Sequence, residues 1–247
     1  VGLIKELCGG EVSELVETGS APTEDKQITL PLSKTQSLIG DLDLSDVAQS
    51  LAMLTMIMET KIQTVCVQGL GFVGAAMAAA VALSKNKEKN LQYNVIGVEL
   101  PTEEGQRRVN CLNRGEFPLT TVDNELMLAT KSGVENGNLS ATTDQTVYQK
   151  AQVVIVDVAL DISTEQDSPI IDFSILEEAV RTIGRSINAH TLVMVETTVA
   201  PGTCERVIAP ILHGECEKRG IAKDSIQIAH SYERVMPGER YLDSIIN

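Results

Sequence analysis

Basic residues are in short supply in this sequence. Twenty lysines and arginines stand against 34 aspartates and glutamates in 247 residues, a formal net charge of −14. That balance argues against stable binding to a nucleic-acid backbone or to an anionic membrane, while leaving room for a local anion pocket. Paired cysteines are lacking as well. Cys8, Cys66, Cys111, Cys204 and Cys216 are odd in number, scattered and never in CxxC spacing. Neither a disulfide framework nor a zinc site is expected, and the thiols read as reduced and intracellular. There is no charged start followed by an apolar run and a small-residue cleavage site, and the longest apolar stretch, Leu51 to Met58, is too short to span a bilayer. Cytoplasmic residence is the expectation. Internal repeats and low-complexity tracts are absent too. The chain begins at Val1 rather than Met, so a processed, trimmed or partial product is expected.

What is present is the composition of a globular protein, 43% apolar and 22% charged. Residues 1–60 are polar and turn-rich, notably over 18–25, and read as an extension. Within it Ser45 or Asp46 is placed to cap a helix through Met58, with Val47, Leu51, Leu54 and Met58 at helical spacing. From Ile62 onward the texture changes. Short apolar runs over 62–68, 94–99, 152–158, 191–196 and 226–229 alternate with helical patterns, the first of them over 73–84. Runs apolar on both faces belong to strands covered by helices on both sides, so the pattern predicts a doubly wound α/β domain over 61–247 with a parallel sheet.

The segment Gly69-Leu70-Gly71-Phe72-Val73-Gly74 follows the first strand directly and opens an alanine-rich helix. In that setting a GxGxxG is a Rossmann-type turn. Gly69 makes the turn, Gly71 admits a pyrophosphate close to the backbone, and Gly74 lets helix and strand approach. The free N–H groups of the helix start, at Phe72 and Val73, then face the phosphates. The second strand ends in Glu99, whose carboxylate can accept hydrogen bonds from an adenosine ribose and would repel a 2′-phosphate. NAD rather than NADP is therefore the expected cofactor. The interval from Gly71 to Glu99 is longer than usual, and the polar insert over 85–90 accounts for it. A purely structural glycine turn with a surface glutamate is the alternative.

Five segments taken together resemble the UDP-glucose/GDP-mannose dehydrogenase family: Val65 to Gly74, Arg108 to Pro118, Ala141 to Asp144, Glu196 to Thr203 and Ser231 to Gly238. The resemblance implies the NAD-binding domain of an enzyme that oxidises the C6 alcohol of a UDP- or GDP-sugar to the uronic acid by two hydride transfers. It also implies a nucleotide-sugar substrate and a homodimer. By the same resemblance Thr198 sits beside the nicotinamide and positions a catalytic water, or serves only as a helix cap. Glu233 is a general base or water-orienting carboxylate near the sugar. Arg234 contacts the substrate or makes an ion pair, and Arg108 lies near the adenosine, with Arg107 equally available, or is a solvated surface arginine.

Two departures stand out. Residues 157–161, Asp-Val-Ala-Leu-Asp, replace a Pro-Thr-Pro turn, so a threonine contact to NAD is not carried over, and Tyr232 replaces a proline. The family captures its aldehyde on a cysteine in a downstream Gly-Phe-Gly-Gly-x-Cys-like segment, and none of the five cysteines sits in one. The chain is thus expected to be a cofactor half that turns over little by itself. A 3-hydroxyacid or 6-phosphogluconate type of dehydrogenase and a non-catalytic NAD-binding module are the alternatives.

Overall fold

The computed structural model describes residues 62–160, 162–163, 170–231 and 235–246. The expected extension over 1–60 and its helix lie outside them. In chain order the strands are β1 (Gln63–Gln68), β2 (Tyr93–Val98), β3 (Leu139–Thr142), β4 (Val153–Val156), β5 (Ile162–Ser163), β6 (Ile170–Ile171), β7 (Leu192–Val195) and β8 (Gln227–His230). Among the described residues β3-β2-β1-β4-β7-β8 form one sheet, parallel throughout, and β5 and β6 form a small antiparallel pair. The order runs outward from β1 to β3, then returns across the sheet to β4 and runs outward the other way. This is the doubly wound arrangement, and its topological switch point lies between β1 and β4.

The helices are α1 (Phe72–Ala82), α2 (Glu103–Asn113), α3 (Asn124–Glu135), α4 (Ser174–Gly184), α5 (Ala209–Glu217) and α6 (Tyr241–Ile246). Successive side chains of each strand go to opposite faces. Val65, Val67, Val95 and Ile155 meet α1, Val109 and Leu112 of α2, and Leu126 of α3 in one cluster. Cys66, Ile96, Val98, Val154 and Val156 meet Leu176, Val180 and Ile183 of α4 and Leu212 of α5 in the other. Because both faces are covered, the strands need no polar alternation, which is why they read as unbroken apolar runs. Burial pushes the Cys66 thiol up to about 12 and raises those of Cys204 and Cys216 as well, so they remain protonated.

Helix α1 is apolar around its whole circumference, and Gly74 through Ala82 are all buried. Its alanines let it lie close to β1 and β2. Asn138 closes its far end by donating from Nδ2 to the carbonyls of Ala82 (2.8 Å) and Tyr93 (3.0 Å).

Two differences from expectation have local causes. The strand expected over 152–158 ends at Val156, because the Thr197 hydroxyl takes the Val158 N–H (2.9 Å) and draws the backbone off the ladder. Strand β3, Leu-Ser-Ala-Thr, has no apolar run to announce it, since it lies at the sheet edge among the described residues and alternates buried with less buried positions.

Asp123 ties the α3 and α6 ends together. Its Oδ1 accepts from the N–H groups of Glu125 (2.8 Å) and Leu126 (3.1 Å), and its Oδ2 from that of Leu242 (2.8 Å). Burial raises the pKa of this carboxyl, but the N–H groups of Leu242, Leu126, Glu125 and Tyr241 outweigh it and the net shift is downward. Asp123→Ala is expected to cost about 1–3 kcal/mol of stability. A depressed folded-state pKa stabilises fully above the unfolded value, near pH 4, and that contribution is lost as pH falls through the folded value. Urea unfolding of both proteins at neutral pH and in acid should show the gap narrowing only below about pH 4; a gap independent of pH contradicts this role.

Candidate functional site

The carboxyl ends of the parallel strands share one edge, and the residues just beyond them build the site. After β1 the chain turns at Gly69, whose φ of +91° suits glycine and whose N–H donates to the Val98 carbonyl at 2.9 Å. A Cβ at Gly69 would lie 2.3 Å from the Asp157 carbonyl oxygen, and one at Gly74 would lie 2.0 Å from that of Gly69. At Gly71 a Cβ would meet nothing within 4 Å. Two of the glycines are thus demanded by the fold, and the third opens onto free space. Leu70 between them is fully buried against Gly97 of β2 and anchors the turn. Helix α1 begins at Phe72 with no side-chain cap and no acid in its first turn, so its first N–H groups and its dipole are left for an anion.

Glu99 follows β2 and is 8% exposed. Its Oε1 accepts from Leu70 N–H (2.9 Å) and its Oε2 from Leu100 N–H (3.1 Å), which pins the carboxylate beside the glycine turn. Arg108 of α2 donates to the same carboxylate from Nη1 (3.1 Å) and to Glu104 from Nε (3.0 Å). The neighbouring Arg107 goes elsewhere, to both oxygens of Glu104 (2.7 Å each) and to the Pro118 carbonyl. Hydrogen bonds from Arg107 and then Arg108 hold the Glu104 carboxyl down at about 2. The geometry separates two arginines that were interchangeable on sequence: Arg108 faces the site and Arg107 does not.

Two clefts meet at the switch point. One, of about 610 Å³, is lined by Gly69, Gly71, Glu99, Leu100, Arg108 and Ile175 among others. The second, of about 490 Å³, is lined by Phe72, Val73, Phe173, Glu196, Thr197 and Thr198 among others. Gly71, Asp157, Val158 and Ala159 border both, so the clefts flank the glycine turn like the two halves of one crevice. Thr198 is exposed on the second cleft, beyond β7, and Thr197 beside it bonds to Val158. Ala159 and Leu160, where a threonine was not carried over, offer that cleft no hydroxyl.

Gly69, Gly71, Phe72, Val73, Glu99, Arg108 and Thr198 therefore gather around one crevice, whereas Gly74 is buried in α1, where a Cβ would strike the Gly69 carbonyl, and its place is structural. Glu233 and Arg234, with Tyr232, lie outside the described residues. Sequence reasoning did not nominate Leu100, Gln145, Ser174 or Ile175 as lining residues, nor Asp157, whose Oδ2 lies 3.1 Å from the position a Cβ on Gly74 would take. Asp157 was visible as a departure from the family pattern; the others carried no signal, being ordinary residues brought in from separate loops and from the start of α4. Among the described residues no cluster of His, Cys, Asp and Glu is arranged to hold a metal ion, and no helix is long and apolar enough to cross a membrane.

Comparison with known proteins converges on one group. The family model described as UDP-glucose/GDP-mannose dehydrogenase family, NAD binding domain, matches residues 63–247. UDP-N-acetyl-D-mannosamine dehydrogenase of Methanocaldococcus jannaschii is 28% identical over 175 residues, covering 70% of this chain and 35% of that protein. The enzyme of the same name from Campylobacter jejuni is 30% identical over 180 residues, covering 71% and 40%. Among solved structures, NDP-N-acetyl-D-galactosaminuronic acid dehydrogenase from Methanosarcina mazei superposes with a TM-score of 0.66 at 27% identity, covering 75% of this chain and 37% of that one. UDP-D-ManNAc dehydrogenase from Pyrococcus horikoshii gives 0.60 at 28% identity, covering 73% and 38%. The chain spans little more than a third of the length of most of these relatives.

The two glycines make separable predictions. Gly71→Ala, whose methyl enters open space, should leave thermal stability near that of the wild type and weaken NAD binding roughly tenfold, about 1.4 kcal/mol. Gly74→Ala, whose methyl strikes backbone, should lower stability by about 1–3 kcal/mol. Calorimetric titration and thermal melts check both; a Gly71→Ala protein that binds NAD as well as the wild type removes Gly71 from the site.

Proposed function

Since the chain belongs to the UDP-glucose/GDP-mannose dehydrogenase family and matches its NAD-binding domain, we propose that residues 61–247 hold NAD for the C6 oxidation of a nucleotide sugar, with residues 1–60 an extension. The observation that carries this reading is the placement of Glu99. A pinned carboxylate and an open glycine turn border the same cleft.

In this reading the residues divide the work along the crevice. Glu99 and Arg108 hold the adenosine ribose, the carboxylate accepting from both hydroxyls. The N–H groups at the start of α1 and the open face of Gly71 receive the pyrophosphate. Thr198 contacts the nicotinamide half, and the cofactor's chemistry is to accept a hydride there. Glu233 acts on water as a base and Arg234 binds substrate, by the family resemblance of their segment.

Two hydride transfers take the alcohol to the acid through an aldehyde, which needs a thiolate to capture it. The thiols of Cys66, Cys204 and Cys216 are held protonated by burial, and among the described residues neither cleft is lined by a cysteine. We therefore assign the capture to a cysteine that this chain does not supply, and expect the chain by itself to bind NAD with little turnover. The named relatives favour a UDP-N-acetylhexosamine as substrate, and the family resemblance implies a homodimer for the whole enzyme.

Titration of the chain should give saturable NAD binding and weaker NADP binding, with Glu99→Ala reducing NAD affinity about tenfold or more. A chain of its relatives' length bearing this domain should release two NADH per UDP-N-acetyl-D-mannosamine consumed. Release of one NADH per sugar, or turnover only of 3-hydroxyacids, would refute the assignment.

A further inference from the structure

The ion pairs at the mouth of the first cleft extend one residue beyond the groups assigned above. Arginine grips a phosphate best with two parallel N–H groups of its planar guanidinium. Arg108 lines the cleft, and its side chain is 26% exposed, so a ligand can reach it. Yet two of its three nitrogens are engaged, one on each bidentate edge, so neither edge is left whole. Nη1 is on Glu99 at 3.1 Å and Nε is on Glu104 at 3.0 Å. Glu104 is one helical turn before Arg108, in the first turn of α2, the spacing at which helical side chains meet. Its two oxygens also bind Arg107, so this one carboxylate draws both arginines toward itself. Of the other charged groups bordering this cleft, Arg185 bonds to Glu178 at 3.3 Å, and Asp157 sits at the glycine turn, its Oδ2 3.1 Å from the position a Cβ on Gly74 would take.

We infer that Glu104 is a specificity-positioning residue: by occupying Nε of Arg108 while Glu99 occupies Nη1, it denies that guanidinium to a phosphate on the adenosine 2′-oxygen. Exclusion of NADP then rests on two carboxylates, one of them outside the ribose-binding position, and Arg108 is a 2′-phosphate site held shut. This inference rests on the reading of the first cleft as the adenosine side. It gives Glu104 a role that its exposure alone would not suggest, since an exposed ion pair contributes little to stability. Its effect is on which ligand Arg108 can accept.

The test is a double-mutant cycle on the 247-residue chain, using Glu104→Gln, Arg108→Ala and the two combined. NAD, NADP, ADP and 2′,5′-ADP are titrated by calorimetry, or by competition where binding is weak. Glu104→Gln should tighten NADP and 2′,5′-ADP by about two- to fivefold while NAD and ADP move less than about twofold, the scale of one exposed pair. The gain should shrink as salt is raised and vanish in the Arg108→Ala background. An unchanged ratio of NADP to NAD affinity in Glu104→Gln overturns the proposal, as does a gain that persists without Arg108. If the unmodified chain binds neither NAD nor ADP, the adenosine assignment of the cleft falls first and this role for Glu104 with it.

Discussion

The site hangs on one carboxylate. Glu99 accepts from the amide of Leu70 in the glycine turn and from that of Leu100 beyond β2, and it pairs with Arg108 of α2. The glycine turn after β1 and the connection from β2 into α2 are thereby tied together at one point. A buried carboxylate is tolerable only with such donors around it, and the backbone amides fix its position within the width of a hydrogen bond. The lock also sets the character of the first cleft, because a fixed anion at the end of β2 accepts hydroxyls and rejects phosphates.

That arrangement needs the glycine turn to be rigid, and packing supplies the rigidity. Gly69 and Gly74 touch backbone where no side chain fits, Leu70 is buried on Gly97, and α1 lies against β1 and β2 through alanines. Gly71 escapes these demands and faces the crevice. The same segment thus separates into a structural part and a part left for a ligand, and the division follows from which Cβ positions are already occupied.

Much of this was legible in the chain itself. The parallel sheet could be read because strands covered on both faces become apolar runs, and the turn because its glycines sit between strand and helix. Glu99 was legible as the acid closing the second strand. Strand β3 was not, since Leu139, Ser140, Ala141 and Thr142 alternate over only four residues and form no apolar run that stands out from the chain around them. The choice between Arg107 and Arg108 was also closed to sequence reasoning. Adjacent helical residues point about 100° apart, and only the positions of Glu104 and Pro118 decide which of the two faces the cleft. Leu100 and Ile175 line the same crevice from a loop and a helix start far apart in the chain, so nothing local marks them. The reading of Glu233 and Arg234 rests on family resemblance alone.

A structure of the chain crystallised with NAD tests the central claim most directly. The account predicts the diphosphate over Gly71 at the start of α1, with both adenosine ribose hydroxyls about 2.5–3.0 Å from the Glu99 carboxylate. NAD bound elsewhere, or bound in this crevice with its ribose turned away from Glu99, would contradict it.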